Sequence, residues 1–439
     1  VKLAQTGSRI LFWRALQKLA GAMLVLVIAH GLGPGDNGRF SLTLMLVMVF
    51  AAVLSGGVGL ASVPYVRQRK VATGRLLAAQ YGWLGLVLLV LGACAFGVRR
   101  APVWMWLENS LGWDAPLLAA AVAVIFALLA FETANYVLLA CGKVVVGTQT
   151  AAVRSLLHLA AVAILLWQTS LNLAAAIWSL TLIYLSAGLW LTWRARAELR
   201  RLSPDPDPEP EPALRAVSPS LPVLVGNLLR RGWLGQLSAI SYLLMLRLDQ
   251  MLLESYLDVT AVGIYCMAAW GTELLWLLPE ALHPLLVHGS ADPRDAARDS
   301  TAARAVRLGL WATAAAAIPL AVLAEPLLGL LRGGAYLPAV GALWVLLPGA
   351  VAFTPGVILA GDFIGRGVPH WNTQASAVTV GVNVILCLMW IPRLGILGAA
   401  WASTVAYALG SGIMVWRFQR LTGQPWRDLF LLRLSDLRR

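Results

Sequence analysis

The chain has 439 residues, 59% of them hydrophobic and only 13% charged, with a net charge of +13. Soluble globular chains carry about a quarter charged residues, so a water-soluble fold is excluded and lipid is the solvent for most of the surface. In lipid every backbone N–H and C=O is paired internally, which leaves helices or a closed barrel. A barrel would show alternating segments of about ten residues. The runs here, such as 42–60 and 83–98, are longer and apolar on all faces, so the spans are predicted as helices.

At about 20 residues per crossing, the spans are predicted in chain order. They are 10–30, 40–62, 77–97, 116–140, 148–168 and 173–193, then 233–256, 263–287, 308–324, 339–360, 371–391 and 398–416. The first apolar stretch carries Arg14 and Lys18, and no small-x-small site follows before Gly31, so it reads as a span and not a cleaved signal. Between the sets, 203–212 alternates proline with acids, which prevents helix and extends the chain. Residues 221–231 then read as a short amphipathic helix on the inner leaflet. The organisation is an N-lobe (1–193), a cytoplasmic linker (194–232), a C-lobe (233–416) and a basic cytoplasmic tail (417–439). The expected fold class is all-α integral membrane. About 12 transmembrane helices form two pseudo-symmetric six-helix lobes around a central cavity.

Lysine and arginine set the orientation. With the N-terminus inside, 25 of the 34 fall in cytoplasmic loops and tails, five fall outside and four lie within spans. The positive charge is therefore mainly a topology signal, and no soluble basic face exists for nucleic acid. Outer Trp104, Trp106 and Trp113 are expected in an interfacial belt. Cys94, Cys141, Cys266 and Cys387 have no metal or redox spacing and read as packing residues. There is no P-loop. The longest outer loop, 98–115, holds one Glu and one Asp, which argues against an enzyme with chemistry in its loops.

The halves look like repeats. Leu32, Gly38 and Phe40 reappear 225 positions on as Leu257, Gly263 and Tyr265. The same shift carries Gly142, Thr148, Gln149, Ala152 and Val153 onto Gly367, Thr373, Gln374, Ala377 and Val378, and Ala174 and Ala175 onto Ala399 and Ala400. Both halves start inside and cross six times, so the repeats are predicted to be parallel.

These residues resemble a known family. The Leu32-Gly-Pro-Gly-Asp-Asn-Gly38-Arg-Phe40 turn looks like that of Wzx-type polysaccharide flippases. Arg247-Leu-Asp249-Gln-Met-Leu-Leu253 followed by Ala261-Val-Gly-Ile-Tyr265 looks like their seventh helix and the turn after it. Gly365-Arg-Gly367 and Ile391-Pro-Arg-Leu-Gly395-Ile-Leu-Gly-Ala-Ala400 complete the likeness over nearly the whole chain. The resemblance implies the two-lobed fold of the multidrug/oligosaccharidyl-lipid/polysaccharide (MOP) exporter superfamily. It implies transfer of undecaprenyl-pyrophosphate-linked oligosaccharides, such as O-antigen units, from the inner to the outer leaflet of the bacterial inner membrane. It also implies a polysaccharide polymerase and other assembly proteins as partners, and a transporter, not an enzyme. The lipid II flippases of this superfamily have two further C-terminal helices, and this chain is expected to stand apart from them. The alternatives are an H⁺- or Na⁺-coupled multidrug antiporter of the same superfamily, a membrane-embedded enzyme of glycan assembly and a non-catalytic assembly partner.

An ionisable side chain within a span costs about 2.5–3.5 kcal/mol on insertion scales, so each one needs a reason. Arg14 and Lys18 share one face of the first helix and read either as snorkelling anchors or as a cationic cavity wall. Arg154, about two turns deep with His158 on the same face, and Arg247 read as further cations for an anionic, pyrophosphate-bearing substrate. Asp249, Glu132 and Glu273 are candidates for ion coupling, with structural pairing as the other reading. Arg247 and Asp249, two residues apart, do not face each other and need separate partners. Arg230 and Arg231 flank the cytoplasmic mouth or anchor it. No cofactor and no metal is expected, beyond H⁺ or Na⁺ as a coupling ion.

Overall fold

A computed structural model describes residues 2–67, 73–202, 220–292, 294 and 296–432. The proline and acidic tract at 203–212 and the end of the tail at 433–439 lie outside the described residues. Among the described residues the chain is all-helical and has no strand. The elements are α1 (Lys2–Ser55), α2 (Val58–Arg67), α3 (Thr73–Val98), α4 (Val103–Leu111), α5 (Ala115–Ala140), α6 (Val144–Trp167) and α7 (Leu173–Leu202). They continue with α8 (Leu221–Tyr256), α9 (Val259–Glu273), α10 (Leu277–Gly289), α11 (Arg298–Leu330), α12 (Ala339–Gly365), α13 (His370–Leu394), α14 (Ile396–Thr422) and the short α15 (Trp426–Phe430).

Ten of these segments are long and apolar enough to cross a membrane. The first of them, 47 residues long among the described residues, is broken at Gly33 (φ 77°) and is long enough for two crossings, while the 36-residue α8 is not among the ten. The protein is a multi-pass membrane protein with about the number of spans expected. The 225-residue shift recurs at element boundaries: α3 starts at Thr73 and α11 at Arg298, while α5 ends at Ala140 and α12 at Gly365.

The chain divides into two compact units, 1–28 with 42–240 and 29–41 with 241–439. The division falls inside α8, and the turn after the first span belongs to the second unit.

In the first unit the predicted second span is not one helix. It breaks between α1 and α2 at Gly56 and Gly57, both at positive φ. The Leu54 carbonyl freed there accepts from Trp83 Nε1 at 3.0 Å. Gly57 lies directly on Gly232, where a Cβ on either would come within 2.3 Å of the other's carbonyl oxygen. Small residues let helix backbones approach this closely. Residues 221–231 are not a separate surface helix but the start of α8. Leu224 and Leu228 are fully buried with Val58, Ala61, Tyr65, Leu76 and Ala79. Their apolar contact outweighs the two arginines that interrupt the hydropathy run. Trp113 is not a belt residue either, since it is buried and donates to Thr43 Oγ1 at 2.9 Å.

In the second unit the first helix ends abruptly at Gly33. Pro34 has no N–H, so the His30 carbonyl has no helical partner. Arg332 supplies one, with Nε on the His30 carbonyl at 2.9 Å and Nη2 on that of Gly31 at 2.5 Å. Tyr336 OH donates to the Ala29 carbonyl at 3.0 Å. The helix that follows crosses α9 at Gly38 and Gly263. A Cβ on Gly38 would lie 1.9 Å from the Val259 carbonyl oxygen, and one on Gly263 would lie 1.9 Å from that of Pro34. Asn37, fully buried, donates to the Gly263 carbonyl at 3.1 Å. The stretch read as a basic tail begins as the last turns of α14. It then turns at Gly423 (φ 69°) and seats Leu429 among Leu286, Val306, Phe363 and Phe418. Arg307 donates to the Asp428 carbonyl, and Trp311 Nε1 donates to that of Phe430 at 2.8 Å.

Candidate functional site

The intramembrane ionisable residues fall into two groups, one in each unit. In the first unit, Arg154 projects from α6 between α5 and α7. Its guanidinium carbon lies over the Tyr184 ring at 4.0 Å and over the Phe131 ring at 4.7 Å. Its Nε has no hydrogen-bond partner, and no carboxylate comes within ion-pair distance of it among the described residues. Glu132, next to Phe131 in α5, is exposed and feels the charge of Arg154. His158, one turn along α6, is buried, and its Nε2 is unpartnered. Arg14 is exposed and Lys18 half-buried on α1. Arg230 and Arg231 are exposed on α8, with the Arg231 guanidinium over the Tyr65 ring at 5.4 Å.

In the second unit, Arg247 and Glu273, read separately as a substrate cation and a coupling acid, are partners. Arg247 Nη1 reaches Glu273 Oε1 at 2.5 Å and Nη2 reaches Oε2 at 3.0 Å. This is the parallel two-bond geometry in which guanidinium and carboxylate bind most strongly. It uses both carboxylate oxygens and both terminal nitrogens. Two residues on, Asp249 points elsewhere, as the helical period requires. It is 2% exposed. Its Oδ2 accepts from Tyr265 OH and from Ser403 Oγ, the latter at 3.0 Å. Asn383 Nδ2 donates to the Ser403 oxygen at 3.1 Å. The other carboxylate oxygen, Oδ1, is buried and has no hydrogen-bond partner among the described residues. The arrangement is a buried carboxylate with one oxygen engaged by hydroxyls and one unengaged.

Charge at an apolar position singled out Arg154, Arg247 and Asp249, but not the groups that define them. Phe131 and Tyr184 are ordinary span residues by composition, and Ser403 and Asn383 carry no charge. Tyr265 had one signal, its place in the 261–265 motif. Among the described residues no three His, Cys, Asp or Glu side chains gather into a metal cluster.

No family model matches the sequence, and no curated protein matches it. Solved structures do match the fold. An inward-facing multidrug resistance MATE family transporter of the MOP superfamily aligns over 94% of this chain and 96% of its own, at 17% identity and a TM-score of 0.67. The lipid II flippase MurJ, in an inward closed conformation, aligns over 100% of this chain and 91% of its own, at 13% identity and a TM-score of 0.72. A mutant of the Vibrio cholerae MATE transporter VcmN aligns over 97% of both chains, at 15% identity and a TM-score of 0.63. The chain therefore has the fold of MOP superfamily transporters.

Proposed function

We propose that the protein is a flippase. It moves undecaprenyl-pyrophosphate-linked oligosaccharide units from the inner to the outer leaflet of the bacterial inner membrane, by alternating access, for surface polysaccharide assembly. The observation that carries this reading is Arg154, a cation held within a span over two aromatic rings, with no carboxylate at ion-pair distance among the described residues. A pyrophosphate crossing a low-dielectric space needs cations on its path, and Arg154 leaves its donors for it. Arg14 and Lys18 add positive charge at the cytoplasmic end of the path, followed by Arg230 and Arg231. Arg247 enters the reading as the structural partner of Glu273. The likeness in fold to a lipid II flippase supports a lipid-linked substrate. A polysaccharide polymerase would receive the product outside.

Of the three acids, Asp249 fits ion coupling best. Glu273 is held by Arg247, and Glu132 is exposed beside Arg154, whereas Asp249 is buried with one oxygen that has no hydrogen-bond partner among the described residues and could take a proton or Na⁺. A charge crossing the membrane is worth about 2.3 kcal/mol per 100 mV, so one ion per cycle suffices for a modest gradient of lipid-linked sugar.

The test is transport of an undecaprenyl-pyrophosphate-linked sugar in proteoliposomes, with and without imposed H⁺ and Na⁺ gradients. Native protein should translocate the lipid, and Arg154→Ala should do so about tenfold more slowly or worse. Equal flipping by Arg154→Ala would remove the carrying observation. The likeness to MATE transporters supports the second reading, a multidrug antiporter. Export of ethidium by the same proteoliposomes, with no movement of the lipid-linked sugar, would establish it in place of the first.

A further inference from the structure

The two rings around Arg154 point beyond the presence of a cation to the shape of the group it receives. Tyr184 comes from α7 and Phe131 from α5, so two helices converge on a side chain of a third. Phe131 is buried, and Tyr184 and Arg154 are half-buried. An aromatic face attracts a guanidinium through its quadrupole without taking any of its N–H donors. A carboxylate in the same place would use them, as Glu273 does on Arg247. The guanidinium carbon of Arg154 therefore sits over two ring faces, and no carboxylate takes its N–H donors at ion-pair distance among the described residues. Among the described residues no hydrogen bond is made by its Nε, nor by His158 Nε2 on the same side of α6.

Resting on the reading of Arg154 as a substrate cation, we infer that Phe131 and Tyr184 are positioning residues that fix the plane of the Arg154 guanidinium, so that the site selects an acceptor offering two oxygens to one fork, a phosphoryl or carboxylate group. A planar fork binds such groups through two parallel N–H···O bonds. A lysine ammonium in the same place would keep the charge but have no plane to fix and no fork to present. The cation and its orientation are thus separable, and substitutions at three positions divide them.

The experiment measures binding of undecaprenyl pyrophosphate to the full-length protein in detergent by native mass spectrometry, with the folded fraction followed by thermal unfolding. Arg154→Lys should weaken binding about tenfold or more despite the retained charge, because the fork is lost. Tyr184→Ala and Phe131→Leu should each weaken it about fivefold, the loss of one guanidinium–ring contact. Tyr184→Phe, which keeps the face and loses only the hydroxyl, should restore most of the affinity lost in Tyr184→Ala. A role in packing alone would lower the folded fraction and leave the affinity of the folded protein unchanged. Native affinity in Tyr184→Ala and Phe131→Leu, with weak binding by Arg154→Ala, overturns the inference and spares the flippase reading. Native affinity in Arg154→Ala overturns both. Where the ring variants fold poorly, Arg154→Lys decides alone, and native binding by it overturns the inference.

Discussion

Each compact unit holds an arginine inside an apolar helix, and the two are treated in opposite ways. In the second unit Glu273 meets Arg247 edge to edge, and the pair is electrically closed. In the first unit Phe131 and Tyr184 meet Arg154 face-on, and the charge stays open. The polar groups around them follow suit. Asp249 has three neighbours in one hydrogen-bonded chain, Tyr265, Ser403 and Asn383, while His158 Nε2 and Arg154 Nε lack hydrogen-bond partners among the described residues. A buried cation is therefore not one kind of feature. Whether its donors are consumed decides whether it stabilises the fold or waits for a ligand.

The contrast breaks most visibly at the closed pair. Glu273→Ala leaves Arg247 without its partner and should cost about 3 kcal/mol in thermal unfolding, the low end for breaking a buried pair. The low end applies because the two side chains keep 15% and 27% exposure. Replacing both, as Arg247→Met with Glu273→Leu, should recover most of that loss. If the double variant is as unstable as the single, the pair is not what holds these residues. Next comes the open cation. Arg154→Ala should lower the rate of lipid-linked sugar transport about tenfold or more while costing about 1 kcal/mol of stability, the value of its ring contacts. A large drop in stability with normal specific transport would erase the difference between the two arginines. Asp249→Asn keeps the size of the side chain and removes the charge. Transport in proteoliposomes should persist but lose its response to an H⁺ or Na⁺ gradient, and a retained response would assign coupling elsewhere. The smallest effect is expected from Ser403→Ala, about 1 kcal/mol for one lost hydrogen bond, read from the unfolding midpoint.

Hydropathy alone shows the crossings because the solvent is lipid and each span must be long and apolar. The repeat register was equally legible, since glycines and Thr-Gln pairs at a constant offset are not produced by composition. The breaks at Gly56 and Gly57 were not, because only the approach of Gly232 from far along the chain gives them meaning. Nor was the continuity of α8, where Arg230 and Arg231 lower the local hydropathy while Leu224 and Leu228 bury the other face. Within the candidate site the i and i+2 spacing separated Arg247 from Asp249, and each has its own partners. What those partners are could not be read. Glu273 lies 26 positions from Arg247 on another helix, and the rings and hydroxyls around Arg154 and Asp249 are too ordinary in a span to attract notice.

The glycines that first revealed the internal likeness also touch each other. Gly38 leans on the carbonyl of Val259, and Gly263, its counterpart 225 positions on, leans on that of Pro34. Val259 is itself the counterpart of Pro34 under the same offset, so the contact is its own mirror in sequence. Neither position can gain a methyl group without forcing the opposite backbone away. The offset that carries one contact onto the other thus sets a single steric veto over both positions at once.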